Sequence, residues 1–515
     1  MNYLLFPGRH HLVTNFQMKY LKELAAKYDG AVIVWAVTSA DHTGTQRNPI
    51  AGARRLGMIE AVAAAETLPS EVYLIANKRP NPQFAHYLIE DIRTQTSGRV
   101  DMVPDNTVVV CSTPGVIDDY QSLGFKVETA ELDTPELRPW DVVQRIITAG
   151  SEWQDDKEVR LLMHPAAFAY YTRYGLASLI QSIYADPLVS SDDGDITVTR
   201  DYATYRAAFE DNAWRKVQDF AIYVQPGRIL DVGCATGQTI KLLGEQSELF
   251  ESDFYGVEVA RPLYEICQQR KTNGEFSDTN VYFYQRNIMQ SELFKPSSLD
   301  TIITMALTHE IESYLGHSEL ERFLERAYQM LAPGGVYINY DVVGPDDRDK
   351  EVYMALNSVD GDNPEDLRED LDGEELARFL SSLSSAARFK RFVKDFRHEE
   401  GDGMAARYEV VDGREYAVTR FADAMEFLAK KEYVDSWKSE MHERFCFYSH
   451  QEWCEALEKV GFVMKDGTRA VQNPWLIENR FTPAAELYEK DDAGILHQIN
   501  YPATNTLLIA SKPEV

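Results

Sequence analysis

The chain is poor in positive charge. Lys and Arg number 52 against 82 Asp and Glu, a formal net charge of −30 over 515 residues. No basic surplus exists to neutralise phosphates, which argues against a nucleic-acid partner. Cysteine is scarce too: five residues, at 111, 234, 267, 446 and 454, an odd count without any C-x-x-C spacing. That pattern excludes a disulfide frame and a cysteine zinc site, and no metal centre is expected. No stretch approaches the ~20 apolar residues that span a bilayer. The run Met1–Pro7 is too short for a signal peptide. These absences predict a soluble, cytoplasmic protein without a membrane partner. At 44% hydrophobic and 26% charged residues the composition is ordinary for a globular protein. The length exceeds one hydrophobic core and implies two or three domains.

The richest local pattern is Asp231-Val232-Gly233-Cys234-Ala235-Thr236-Gly237 after the apolar pair Ile229-Leu230. A buried strand, a glycine turn and a helix from about Gln238 follow from it, and glycine at 233 and 237 lets a ligand approach the backbone. A second strand, Phe254–Val257, ends in Glu258, where an acidic residue usually holds ribose hydroxyls. A dinucleotide site would read G-x-G-x-x-G. The leading Asp here is poor company for phosphates and suits a cationic or zwitterionic ligand.

This stretch resembles motif I of the class I S-adenosylmethionine-dependent methyltransferases. Ser298–His309 looks like that family's fourth strand and following loop, and Leu331-Ala332-Pro333-Gly334-Gly335 like the turn before its fifth strand, Val336–Tyr340. Gln451-Glu452-Trp453 with Val460-Gly461-Phe462 looks like the helix leading to strand six, and Thr506–Ala510 like the last strand. The resemblance implies S-adenosyl-L-methionine as cofactor. Gly233, Cys234, Ala235 and Gly237 would approach its methionine part, Asp231 its ammonium, Glu258 its ribose and Asn287 with Ile288 its adenine. Met305 and Ala306 would line the sulfonium side. His309 is the leading candidate for a catalytic base, ahead of Glu310, Asp341 and His442. Tyr202 and Tyr205 are read as packing residues that could also close over the cofactor. The acceptor is expected to be a small molecule, methylated on oxygen.

The first 188 residues alternate strand and helix: strands at Tyr3–Phe6, Ala31–Val37, Glu71–Ala76 and Thr107–Cys111, with helices at 15–27, 50–65 and 83–94 between them. That alternation predicts a second doubly wound parallel sheet. The polar stretch 187–195 marks the domain boundary, with the methyltransferase-like domain from 196 to 515. Gly8-Arg9 with Thr14-Asn15-Phe16-Gln17 resembles the entry motif of the nucleotidyltransferase superfamily, which includes nicotinamide-nucleotide adenylyltransferases and cytidylyltransferases. Asn48-Pro49, Arg54–Ile59 and Thr134–Arg138 resemble later elements of the same enzymes. The resemblance implies a site for ATP or CTP with Mg²⁺, contacted by Gly8, Arg9, Asn48, Arg54 and Arg138, with Thr14 and Gln17 where the family has catalytic histidines. Glutamine cannot carry a proton there. Three readings stay open: nucleotidyl transfer to a phosphorylated or phosphonate substrate, binding of a nucleotide-linked acceptor without turnover, and a structural relic.

Residues 345–444 separate the fifth strand from the next family-like element and exceed any ordinary loop. Nine acidic residues and one arginine crowd 360–375, and helical periodicity runs through 376–396 and 419–437. The segment is expected to be a helical insertion, serving as a lid over the pocket, or else as a solvated helical elaboration or a homodimer interface.

Overall fold

The computed structural model describes residues 3–76, 83–129, 138–184, 213–276, 279–290 and 293–514. The expected domain boundary, Tyr202, Tyr205 and the 134–137 part of the late N-terminal motif lie outside them.

The first sheet has five parallel strands: β1 (Tyr3–Gly8), β2 (Val32–Val37), β3 (Ser70–Leu74), β4 (Thr107–Val110) and β5 (Lys126–Glu128), in the order β3-β2-β1-β4-β5. Every pairing is parallel. Parallel strands need crossover helices, which cover both faces and make the strands continuously apolar. All six residues of β2, Val-Ile-Val-Trp-Ala-Val, are buried accordingly.

The second sheet is built from β6 (Arg228–Val232), β7 (Asp253–Glu258), β8 (Asn280–Gln285), β9 (Leu299–Met305) and β10 (Leu331–Val342). Three late strands complete it: β14 (Val463–Met464), β15 (Arg469–Val471) and β18 (Asn505–Ser511). Its order is β14-β18-β10-β9-β6-β7-β8, with β15 also on β18. The chain is therefore an α/β protein with two parallel-stranded, Rossmann-like sheets, the second carrying β18 antiparallel to β10. The order reverses at β6, so the C-terminal ends of β6, β7 and β9 surround the crevice where such sheets bind ligands.

The insertion differs from the expectation. Helices at Gly373–Ser382, Ser385–Asp395, Phe421–Lys430 and Trp437–His442 are present, but so are β11 (Glu351–Leu356), β12 (Arg407–Val411) and β13 (Arg414–Arg420). With β16 (Ala485–Lys490) and β17 (Leu496–Ile499) they form an antiparallel sheet ordered β12-β13-β11-β16-β17. The helical insertion is thus corrected to an α+β subdomain assembled from two chain segments. The missed signal was the Asp412-Gly413 turn, with φ of 51° and 79°, between two strand-like runs. That dipeptide is a strong hairpin marker because both positions need positive φ. A separate core of Val352, Met354, Leu380, Phe389, Phe392, Phe427 and Trp437 holds the subdomain together.

Candidate functional site

The turn after β6 is a tight cradle. Gly233 and Gly237 have φ of 68° and 76°, and a Cβ at Gly237 would stand 2.9 Å from Phe283. Ala235 has a positive φ of 47°, a position that costs a side-chain residue energy. Glu258 holds it there, its Oε2 accepting from Ala235 N and its Oε1 from Ala260 N, both at 2.9 Å. Gly256 must lack a side chain, since a Cβ would meet Phe283 at 2.6 Å and the Cys234 sulfur at 2.9 Å. Cys267 donates to Ala235 O at 3.1 Å from the neighbouring helix, Arg261–Thr272. Cys234 and Ala235 are buried structural parts of the turn.

Asp231 is the residue out of balance. It is 2% exposed, and its Oδ2 has no hydrogen-bond partner. Burial, with a smaller push from the Glu258 charge, lifts its pKa to about 8. A buried carboxyl left without a partner is costly and fits a site waiting for a cation. Asn287 Oδ1 accepts from Met289 N at 2.9 Å, and Ile288 is buried beside it.

Met305, Ala306, His309 and Glu310, at the end of β9, open on a cavity of about 340 Å³. Its opposite wall comes from the insertion and from the late segment, including Met425, Glu443, Phe445, Trp475 and Arg480. Sequence reasoning missed every one of these wall residues, because they reach the site through tertiary packing of two segments far apart in the chain.

The structure also changes the part assigned to His309. Its Nδ1 pairs with Asp341 Oδ1 at 2.7 Å and its Nε2 faces Glu443 Oε2 at 3.5 Å. Burial alone would lower its pKa; the charges and hydrogen bonds of Asp341 and Glu443 outweigh it, and the value lies well above the ordinary 6.5. A histidine so held keeps its proton at neutral pH and is not the free base expected. Asp341 is itself fixed: Thr308 Oγ1 donates to its Oδ2 at 2.5 Å and His309 N at 3.1 Å. Asn339 Nδ2 donates to Thr308 Oγ1, and Thr304 Oγ1 to Asn339 Oδ1, both at 3.0 Å. His442 pairs with Glu400 at 2.7 Å and does not line the cavity.

The residues expected to bind a nucleotide in the N-terminal domain are not assembled for it. Thr14 caps the helix Asn15–Lys27: its Oγ1 accepts from Gln17 N, while Gln17 Oε1 accepts from Thr14 N. Both side chains are buried. The chain at 161–164 lies over that helix end, with Asn15 Nδ2 donating to Leu161 O and His164 N to Val13 O. Thr14 and Gln17 thus form a capping box, in which their side-chain oxygens accept two backbone N–H groups at the helix start. Gly8 lies at the end of β1, with its O accepting from Thr38 N. Arg9 Nη2 and Asn48 Nδ2 both bind Glu251, at 2.8 Å each, from the methyltransferase-like half. Gln46 N donates to Asp253 Oδ2 at 2.8 Å and Tyr282 OH to Gln46 Oε1 at 2.6 Å across the same contact. Arg54 is exposed over the Tyr174 ring, and Arg138 is exposed before the helix Pro139–Ala149. Arg9 and Asn48 are thus domain-contact residues here, not a free phosphate cradle.

Comparison with known proteins agrees with the second half of this picture. Residues 229–335 match the family model described as a methyltransferase domain. A protein of Geobacillus sp. (strain WCH70) named as a methyltransferase is 29% identical over 115 residues, 22% of this chain and 42% of that protein. The chain thus spans less than half the length of that curated relative. A solved Bacillus halodurans C-125 protein described as a methyltransferase is 11% identical, with a TM-score of 0.29 over 58% of this chain and 98% of that one. An Aquifex aeolicus SAM-dependent methyltransferase is 16% identical, with a TM-score of 0.24 over 43% of this chain and 98% of that one. TM-scores of this size amount to a loose likeness and no more. With the family match, the strand order β8-β7-β6-β9-β10-β18-β14 and the glycine turn together, the chain carries a methyltransferase domain that includes residues 229–335.

Proposed function

We propose that the chain is an S-adenosylmethionine-dependent methyltransferase acting on a small molecule in the cavity beyond β9. The observation that carries this reading is the buried Asp231 carboxyl, whose Oδ2 has no hydrogen-bond partner, beside the Gly233–Gly237 turn. Its chemistry fits an α-ammonium, and Glu258, at the end of the next strand, fits ribose hydroxyls. The bound cofactor supplies an electrophilic methyl group. Asp231 and the turn would orient its methionine part, with Asn287 and Ile288 beside the adenine. Met305 and Ala306 line the cavity and would face the methyl group, and the buried Met425 and Phe445 on its wall would exclude water. Calorimetry with S-adenosylmethionine tests the reading. Micromolar binding that weakens in Asp231→Ala and Glu258→Ala is expected; no binding by the intact protein defeats it.

For the N-terminal domain the reading supported best is a non-transferring one, as a recognition or structural module. The capping box at Thr14–Gln17 and the Glu251 contact at Arg9 and Asn48 support it. Incubation with each nucleoside triphosphate and phosphorylated candidates should release no pyrophosphate. Release at an enzymic rate restores the bifunctional reading, with ATP or CTP and Mg²⁺ as its reagents. We infer a location in the cytoplasm. Among the described residues no helix is long and apolar enough to cross a membrane.

A further inference from the structure

Three buried side chains of mixed donor type meet on the cavity wall: His309, Glu310 and Glu443. One ligand atom from each lies within 4.8 Å of the others. Two ligands held at ~2.1 Å from one ion are ~3.4 Å apart in a tetrahedral site and at most ~4.2 Å apart in a linear one, so a separation at the 4.8 Å limit must close by ~0.6–1.4 Å for all three to bind. The closest measured edge is already there. His309 Nε2 and Glu443 Oε2 are 3.5 Å apart, long for a charge-assisted hydrogen bond at ~2.8 Å. It is close to the ~3.4 Å edge of a tetrahedral site.

The imidazole is also oriented as a metal ligand is. Asp341 Oδ1 accepts from His309 Nδ1–H at 2.7 Å and the carboxylate is itself locked by Thr308 Oγ1, His309 N and Val342 N. A carboxylate behind one ring nitrogen fixes the ring and aims the other nitrogen at the ion, which binds in exchange for the Nε2 proton. That arrangement is independent of the acidic pair in front of the ring. Glu310 and His309 come from the short helix Thr308–Glu310 after β9, whereas Glu443 comes from the insertion. An ion here would tie the insertion to the sheet beside Met305 and Ala306.

We propose that His309, Glu310 and Glu443 form a binding site for one divalent transition ion of the Zn²⁺ or Mn²⁺ class. One imidazole with two carboxylates suits such ions better than the all-oxygen sets of Ca²⁺ and Mg²⁺. Taken with the methyltransferase reading, on which this second part rests, the ion would bind an acceptor hydroxyl and lower its pKa. The oxygen loses its proton to solvent and attacks the methyl carbon. The O–C bond forms, the C–S bond breaks, and its electron pair stays on sulfur.

The test uses the full chain stripped with chelator. Titration with ZnCl₂ and with MnCl₂ should show one equivalent bound in the micromolar range or tighter. Glu443→Gln and Glu310→Gln should each weaken it at least tenfold, while S-adenosylmethionine affinity stays within twofold. That second measurement reports folding and separates failure of the ion site from failure of the cofactor reading. On the intact protein, Co²⁺ should give visible bands of a low-symmetry site with a histidine ligand. Weak multisite uptake by the acidic surface, unchanged binding in both variants, or Co²⁺ bands of the free aqua ion would each overturn the site.

Discussion

On the proposed function, contact between Asp231 and the cofactor ammonium couples binding to proton release. With a pKa of about 8 in the free protein, roughly one molecule in ten carries the charge at pH 7. A ligand ammonium needs the carboxylate, so binding at pH 7 must expel about 0.9 proton and is about tenfold weaker than its limit, near 1.4 kcal/mol. The direction follows from the cause: burial raises this acid, and a bound cation lowers it again. Calorimetry in two buffers of different ionisation enthalpy reads the proton directly. The measured enthalpy should vary with the buffer at pH 7, and the affinity should rise nearly tenfold from pH 6 to pH 7. In Asp231→Asn both dependences vanish, and the affinity at pH 8 falls by an order of magnitude or more. Proton release near zero at pH 7 with tight binding by wild type would refute the argument, because Asp231 would then be ionised already or not in contact.

The same acid governs stability of the cofactor-free protein. Its folded pKa lies above the ordinary value of 3.8, so stability is fully present below about pH 4 and is lost as pH rises toward 8. Asp231→Asn should therefore melt higher than wild type at pH 8, and by a much smaller margin at pH 5. Gly256→Ala places a methyl 2.6 Å from Phe283 and 2.9 Å from the Cys234 sulfur, an overpacking of about 1–3 kcal/mol measurable by denaturant titration; unchanged stability contradicts the packing of β7. Asp341→Asn removes a buried charge bound by Thr308 and His309 and should cost about 3–5 kcal/mol in the same assay. Glu251→Ala with Asp253→Ala removes the Arg9, Asn48 and Gln46 contacts and should enlarge the radius of gyration in small-angle scattering; no change means that other contacts hold the halves together.

Legibility in the sequence followed the range of the interaction. The Asp231–Gly237 turn could be read because its glycines are demanded locally, at φ of 68° and 76°. The helix Asn15–Lys27 and the apolar β2 strand are likewise announced by period and by burial on both faces. The pairing of β11 with β13 and β16 was not visible, since β16 comes some 130 residues after β11 in the chain. Only the Asp412-Gly413 hairpin offered a local sign of it. His309 was found by its place after β9, but its state was not, because Asp341 and Glu443 are brought to it by the sheet and the insertion. Arg9 and Asn48 show the converse: the sequence pattern suggested a phosphate site for them, yet their partner is Glu251, 242 and 203 residues on.

The most direct test of the central claim is a crystal structure with S-adenosylhomocysteine bound. The account predicts its ammonium within hydrogen-bond distance of Asp231, its ribose hydroxyls at Glu258 and its sulfur facing Met305 and Ala306. A ligand bound elsewhere, or in this crevice without contact to Asp231 and Glu258, would contradict it.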